Sequence, residues 1–377
     1  MSTKPTVLSL GYTKDLLQEK KSAGDNFGRL KFYAEALDKY LILVLSLQSE
    51  KLKPRTIDNM EITPTNGWGY LHALFRMYRL GARYLRHEKV DVIQAQEAYM
   101  TGLVGLFLKW RFKKPLNICV YGSNPFDKHW RRESKFNFVV APIARFVMKR
   151  VDGVQVDGTL TKKRLIEAGI KSERIVFKPL IPANLADFSK IDGTSLRRDL
   201  LEDGKFEQLL LFIGRMSKQK NVPFLLKAFK KVLHDLPAAR LVMIGGGHYK
   251  SQYEKLGEEL GVGASILWLG AVDYSELMKY YKAADLFALT SFYEGFPRVF
   301  MEAASAGLPI VTTMVSGVGD GVIDGENGLV VEQGDLDGWV SGAKKLLENP
   351  NIFTAPPKKF PSYDKIQVEL WQKLAKM

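Results

Sequence analysis

The stretch Thr290-Ser-Phe-Tyr-Glu-Gly-Phe-Pro-Arg-Val-Phe-Met-Glu-Ala-Ala-Ser-Ala-Gly-Leu-Pro309 decides the reading of this chain. It follows the apolar run Leu286–Thr290, which reads as a strand. Pro297 is placed for the first turn of a helix that stops at Gly307, with Pro309 just beyond. Phe296, the residue before that proline, has no side-chain oxygen with which to cap the helix. The first-turn amides are left without a side-chain acceptor and, with the helix dipole behind them, form an anion site. Glu294 lies in the loop before the helix and Glu302 within it, with seven residues between them. A carboxylate beside an anion site is electrostatically awkward unless it serves a polyhydroxy ligand. Taken singly, either glutamate reads as a solvated helix-end charge.

Two upstream segments share this logic. In Leu211-Phe-Ile-Gly-Arg-Met-Ser-Lys-Gln-Lys-Asn221, Gly214 allows a sharp turn at the carboxyl end of a strand, and Arg215 and Lys220 flank the loop that follows. Ligands of open α/β sheets bind outside the carboxyl ends of strands. An arginine fork and a lysine point charge there suit a diphosphate. Leu241-Val-Met-Ile-Gly-Gly-Gly-His248 is a strand ending in three glycines, of which Gly246 is central. It permits close backbone approach but lacks the dinucleotide G-x-G-x-x-G spacing.

The surrounding pattern alternates strands and helices, which implies parallel β-α-β units. In the second half the strands are Gln208–Ile213, Arg240–Ile244, Ser265–Leu269, Leu286–Thr290 and Ile310–Thr313. Helices are expected at Val222–Leu233, capped by Asn221, and at Ser275–Lys282 and Arg298–Ala306. In the first half, Thr6–Leu10, Leu41–Leu47, Glu61–Pro64, Asp91–Ala95 and Leu116–Tyr121 read as strands. Asn66 is expected to cap a helix whose apolar face is Trp68, Leu71, Phe75 and Tyr78. The polar stretch around 189–205 reads as a linker. The chain therefore divides into a first domain (1–188), a second domain (189–360) and a terminal amphipathic helix (361–377) expected to return to the first domain.

Composition bounds the function. The 377 residues are 46% hydrophobic and 25% charged, which excludes a disordered or fibrous chain. No apolar run approaches the ~18–20 residues of a membrane-spanning helix. Met1-Ser-Thr-Lys-Pro leads into a run too short and poorly flanked for a signal peptide, so a cytoplasmic protein is expected. A single cysteine, Cys119, excludes an internal disulfide and a zinc site of several thiolates. The net charge of +14 is asymmetric: residues 1–188 hold 32 basic and 18 acidic side chains, and 189–377 hold 23 of each. One half therefore faces an anionic partner.

The ordered set Gly214-Arg215…Lys220-Asn221, Gly245-Gly-Gly, Leu269-Gly-Ala-Val272, Ala284-Asp285, Ser291…Glu294-Gly-Phe-Pro…Glu302-Ala…Gly307-Leu-Pro and Asp324-Gly-Glu-Asn-Gly328 resembles the donor domain of the family 4 retaining glycosyltransferases. The resemblance is nearly continuous from about 208 to 348. It implies an α/β GT-B fold, with two Rossmann-like doubly wound domains facing a central cleft. It also implies a retaining, metal-independent transfer of a sugar from a UDP- or GDP-linked donor to a hydroxyl, in polysaccharide or glycolipid synthesis, with no cofactor beyond that co-substrate. Carried onto this chain, Arg215 and Lys220 hold the donor diphosphate, beside Gly214 and Gly246. Glu294 with Gly295, Phe296, Pro297 and Val299 holds the donor sugar and its phosphate. Glu302 binds the ribose hydroxyls, and the backbone near Val272 meets the base. Asp335-Leu-Asp337 looks like a metal-binding D-x-D but comes after the donor motifs, and reads as a solvated helix start.

The first half resembles the family more loosely. Ser22-Ala-Gly24-Asp25 occupies the place of a glycine loop near the donor phosphate, which adds Gly24 to the donor-binding set. Many relatives carry a histidine where this chain has Tyr121, whose hydroxyl can hydrogen-bond a sugar but cannot replace a histidine's protonation near neutral pH. Tyr121 joins Glu294, Arg215 and Lys220 as a catalytic candidate, and His129, eight residues on, is the other residue able to take that place. Basic clusters at 109–114 and 131–150, interleaved with apolar residues, suit an anionic membrane surface presenting a lipid-linked, glycolipid or glycan acceptor. They read equally as core with a solubilising fringe. No nucleic-acid-binding motif accompanies them. Two alternatives stay open: a non-catalytic sugar-nucleotide-binding subunit, and a GT-B nucleotide-sugar epimerase.

Overall fold

A computed structural model of the chain describes residues 4–17, 25–122, 125–179, 188–349 and 363–377. The chain forms two compact units. One comprises Met1–Asp157, Thr161–Leu180 and Phe360–Met377, and the other Gly158–Leu160 and Ile181–Lys359.

The first part of the chain runs β1 (Val7–Gly11), α1 (Asp25–Glu35), β2 (Tyr40–Val44), β3 (Arg55–Ile57), β4 (Met60–Pro64), α2 (Tyr70–His87), β5 (Val92–Ala95), α3 (Met100–Phe112), β6 (Leu116–Val120), α4 (Lys128–Glu133), α5 (Lys135–Met148), β7 (Gly153–Val156), α6 (Thr159–Glu167) and β8 (Ile175–Phe177). Its eight-stranded sheet has the order β3-β4-β2-β1-β5-β6-β7-β8. Only the β3–β4 pair is antiparallel. Strands β1, β2, β5, β6 and β7 are buried along their whole length, as a sheet covered on both faces requires. Alternate residues serve opposite layers. Leu8, Leu10, Leu41, Leu43, Ile93 and Ile118 pack under α2, α3 and α5. Val7, Ile42, Val44 and Val92 face the other way, against Tyr33, Leu37, Leu370 and Trp371.

Helix α2 corrects two expectations. Asn66 does not cap it. That residue sits in the left-handed region (φ 45°), accepts from the Ser46 hydroxyl (3.1 Å) and donates to the Leu52 carbonyl (2.8 Å), and the helix begins after Gly69. The face that packs is also not the one with the largest side chains. Ala73, Met77, Gly81 and Ala82 are buried, whereas Trp68, Leu71 and Phe75 are 78%, 80% and 56% exposed. Small residues set the contact. A Cβ on Gly81 would lie 2.7 Å from Leu108 of α3, so the two helices approach where no side chain intervenes.

The second part runs α7 (Thr194–Leu200), β9 (Gln208–Ile213), α8 (Val222–Asp235), β10 (Ala239–Ile244), α9 (Lys250–Glu259), β11 (Ile266–Leu269), α10 (Tyr274–Ala283), β12 (Leu286–Leu289), α11 (Arg298–Ser305), β13 (Ile310–Thr313), β14 (Ser316–Val322), β15 (Gly328–Val331), α12 (Leu336–Glu348) and finally α13 (Tyr363–Leu374). Its six-stranded sheet is wholly parallel, in the order β11-β10-β9-β12-β13-β15. Counted from β9 this is the doubly wound 3-2-1-4-5-6 order, and the chain switches direction between β9 and β12. Asp285 fastens that junction, accepting from the Leu209 amide (2.8 Å) and from Arg197 (3.0 Å). Asn221 occupies the N-cap position of α8 but caps nothing with its side chain, because its backbone is left-handed (φ 49°).

Helix α13 packs in the first unit, where Leu370, Trp371 and Leu374 join the core of β1 and β2. Polar residues on the same face of the sheet hold it. Trp371 Nε1 donates to Gln94 Oε1 (2.8 Å), Gln155 Nε2 to Gln367 Oε1 (3.0 Å), and Asn117 Nδ2 to Gln94 Oε1 (2.8 Å). Among the described residues no helix is long and apolar enough to cross a membrane.

Candidate active site

In the second unit the loops after β9 and β12 leave the sheet at its switch point, and the strongest sequence candidates meet there. The Phe292 amide donates to the Gln219 carbonyl (2.8 Å), and Gln219 Nε2 donates to the Tyr293 carbonyl (2.9 Å) and to Glu294 Oε2 (3.3 Å). Lys220 Nζ donates to Glu294 Oε1 at 2.6 Å, and both side chains are largely buried. The pair is thus a lysine from one loop and a glutamate from the other, held by one main-chain bond and the Gln219 side chain between the two loops.

Three glycines bring the β10 loop against the same edge. At Gly245 φ is 129°, and a Cβ there would lie 2.1 Å from the Gly214 carbonyl oxygen, so only glycine fits. A Cβ on Gly246 would meet nothing within 4 Å, which leaves its backbone facing open space. The Gly214 amide donates to the Ile244 carbonyl (3.0 Å) and the Gly245 amide to the Gly270 carbonyl (3.1 Å), which aligns the ends of β9, β10 and β11. Val272, half-buried, lies in the loop that continues from Gly270. Arg215 is exposed, and its guanidinium makes no hydrogen bond or ion pair with any described residue.

Helix α11 opens at Arg298 with Pro297 at its N-cap and no side-chain cap, and Gly307 ends it at φ 75°. Val299 lies in its first turn, after the buried Phe296 and Pro297. Strand β14 presses against this opening turn. A Cβ on Gly317 (φ 97°) would lie 2.6 Å from the Pro297 ring, and one on Gly321 would lie 2.9 Å from Phe300. Glu302 is only 4% exposed and accepts from the Tyr281 hydroxyl at 2.7 Å. Burial raises its carboxyl above the ordinary range, while the Tyr281 bond and the nearby Arg298 oppose that shift. Tyr281, Gln219 and Gly317 were not legible as site residues. Tyr281 lies 21 positions before its partner, and the glycine run at 316–321 was the unread signal for β14.

The remaining candidates lie elsewhere. Gly24 falls outside the described residues. Tyr121 is in the first unit, at the carboxyl end of β6, where its hydroxyl donates to Gln155 Oε1 (3.2 Å) beside the polar network under α13. His129 lies on α4, and burial holds its imidazole below the ordinary value. The Cys119 thiol is buried and pushed up to about 11. Glu97, not singled out from sequence, is buried before α3 and accepts from the Met100 amide (3.1 Å) and the Tyr12 hydroxyl (3.0 Å). Asp335 caps α12 through the Gly338 amide (2.9 Å), and Asp337 pairs with Lys231 (2.6 Å).

Residues 195–362 match the model described as Glycosyl transferases group 1, and residues 53–180 match Glycosyl transferase 4-like domain. The alpha-monoglucosyldiacylglycerol synthase of Streptococcus pneumoniae is 24% identical over 250 residues, covering 63% of this chain and 55% of the relative. Matched stretches span 36% to 67% of the length of such relatives. Among solved structures, sucrose-phosphate synthase from Thermosynechococcus elongatus superposes with a TM-score of 0.72 at 16% identity, covering 98% of this chain and 95% of that one. Anabaena HepE in complex with UDP and glucose gives 0.64 at 18% identity, covering 99% and 100%. The two family models fall on the two parallel-sheet units in turn, and the whole-chain fold is shared with solved glycosyltransferases: this chain belongs to the GT-B glycosyltransferases of the group 1, family 4 type.

Proposed function

We propose that the protein is a retaining glycosyltransferase that takes a sugar from a UDP- or GDP-linked donor and passes it to a hydroxyl of a glycan, glycolipid or lipid-linked acceptor on the cytoplasmic side of a membrane. The observation that carries this reading is the largely buried Lys220–Glu294 pair at the switch point, beside the uncapped start of α11 and the unpaired Arg215. In transfer, the bond between the anomeric carbon and the diphosphate oxygen breaks, and its electron pair stays with the diphosphate. The acceptor oxygen forms the new bond on the same face, and its proton passes to the departing phosphate oxygen. Arg215 and Lys220 counter the charge that develops on the diphosphate, so no metal ion is needed. A hydrogen bond from a sugar hydroxyl to Glu294 fixes the ring, and Glu302 accepts from the ribose hydroxyls. Tyr121, whose hydroxyl can hydrogen-bond a sugar, is the residue assigned to the acceptor.

UDP in the HepE complex supports the donor class, and the monoglucosyldiacylglycerol product named for the pneumococcal relative supports a lipid acceptor. Labelled UDP- and GDP-sugars, offered with glycolipid and lipid-linked acceptors in EDTA, test this. A labelled, alkali-stable glycoside from one donor is expected. Free nucleotide without an acceptor product, or an epimerised sugar, would overturn the reading.

A further inference from the structure

Helices α2, α3 and α5 lie side by side over one face of the first unit's sheet, sharing one core. Together they carry eight Lys and Arg residues and no Asp or Glu. Their solvent sides are not the usual polar coat. On α2, Leu71 and Phe75 stand exposed in one stripe with Arg76, Arg79, Arg83 and Arg86, a spacing of three and four residues that keeps them on one helix side. None of these four arginines forms an ion pair among the described residues. They border an open depression of ≈ 550 Å³. On α3, Phe107 and Trp110 are exposed beside Arg111. On α5, Phe138 and Val139 are 70% and 62% exposed, with Phe146 further along the same side. The Trp110 and Phe146 rings meet at 6.3 Å, joining the outer sides of α3 and α5.

An exposed aromatic stripe edged by unpaired cations would be a poor surface in water. A solubilising fringe has no use for Leu71 and Phe75, and a protein interface of this kind would need acidic counterparts on its partner. An anionic lipid surface meets both halves of the pattern. Headgroup phosphates pair with the arginines, and the aromatic side chains reach the interfacial region where such rings are favoured. The start of α2, with Trp68, Leu71 and Phe75, also stands at the carboxyl edge of the sheet, the edge at which open α/β sheets take their ligands.

We infer that the outer side of the α2–α3–α5 layer is a docking surface for an anionic bilayer, with the Arg76–Arg86 stripe of α2 as its headgroup-binding element and Leu71 and Phe75 as its interfacial anchor. This deepens the reading of a lipid-borne acceptor and names the element that brings the enzyme to it.

Flotation of the full chain with vesicles of 70% phosphatidylcholine and 30% phosphatidylglycerol, against pure phosphatidylcholine, tests it at low and high salt. Binding is expected only to the anionic vesicles, and to be lost in high salt. Each surface arginine contributes about a fivefold factor to partitioning, so Arg76→Gln/Arg79→Gln/Arg83→Gln/Arg86→Gln should lower it by roughly several hundredfold. Leu71→Ser/Phe75→Ser should weaken it while leaving the salt dependence. All six positions are exposed, and an unchanged unfolding midpoint confirms that the variants fold. Equal flotation of wild type and the four-arginine variant would overturn the inference. So would absence of flotation, with or without a salt-sensitive shift of random duplex DNA. Because flotation needs no donor, it fails independently of the transferase reading, which a water-soluble acceptor analogue still tests.

Discussion

Glu302 holds a carboxyl group where burial works against its ionisation, and that has a measurable consequence. Its folded pKa is raised, so between the ordinary glutamate range of about 4.3 and the folded value the native state binds more protons than the unfolded chain. Stability is therefore lost as pH rises through that window. Glu302→Gln keeps a neutral acceptor for the Tyr281 hydroxyl and removes the ionisation. The variant should show a flatter dependence of unfolding midpoint on pH from 5 to 8, and no loss of stability at pH 7.5. Its affinity for the nucleotide should fall about 10–100-fold, the range of one or two charge-assisted hydrogen bonds. An identical pH dependence in wild type and Glu302→Gln would contradict the assignment. Lys220 and Glu294 behave differently, because each leaves the other stranded. Lys220→Ala leaves a largely buried carboxylate unpaired and should cost about 3–5 kcal/mol in denaturant titration. Lys220→Met/Glu294→Gln should recover most of that while remaining inactive.

At the scale of elements, the donor loops were legible and the faces of the helices less so. Strands β9 and β13 fall where their apolar runs fall, and α8 carries its buried stripe Val222, Leu225, Leu226, Phe229 and Val232 as its periodicity requires. Strands β7, β8 and β15 do not stand out in the sequence, because β7 and β15 open on a glycine and β8 has only three residues. Helix α2 failed for a different reason. Periodicity finds an apolar face, but the neighbouring helix chose the face with Ala73 and Gly81 because close approach outweighs side-chain size. Asn221 and Asn66 failed as caps because both are left-handed, which a sequence does not display. Two substitutions test the element-level account. Gly317→Ala puts a methyl group against Pro297 at a positive φ, and should cost more than ~1 kcal/mol and weaken nucleotide binding, read by denaturant titration and calorimetry. Trp371→Ala removes a fully buried ring and the donor to Gln94, and should cost about 3–5 kcal/mol and speed proteolysis within α13.

At the scale of the whole molecule, the charge asymmetry and the two cores belong together. The half of the chain after residue 188, neutral on balance, builds its site from local loops. The first half holds the entire basic excess and lays three acid-free helices over its sheet. Among the described residues each unit has a buried core of its own. Scanning calorimetry should accordingly give a calorimetric enthalpy larger than the van't Hoff value, with UDP or GDP moving only part of the transition. A single two-state peak that shifts as a whole would contradict this.

The most direct measurement of the central claim is thermal unfolding with UDP, GDP, ADP and their sugar conjugates, on wild type and on Arg215→Ala, whose exposed and unpaired side chain can be removed without harm to the fold. Ligand at 100 times its dissociation constant adds ~2.7 kcal/mol to the unit that binds it, enough to raise the midpoint of a unit of this size by ~5–11 °C. The account predicts such a shift with UDP or GDP and its sugar conjugate but not with ADP, strongly reduced in Arg215→Ala. No shift with any of them, or an equal shift in the variant, would contradict a diphosphate site at the switch point of β9 and β12.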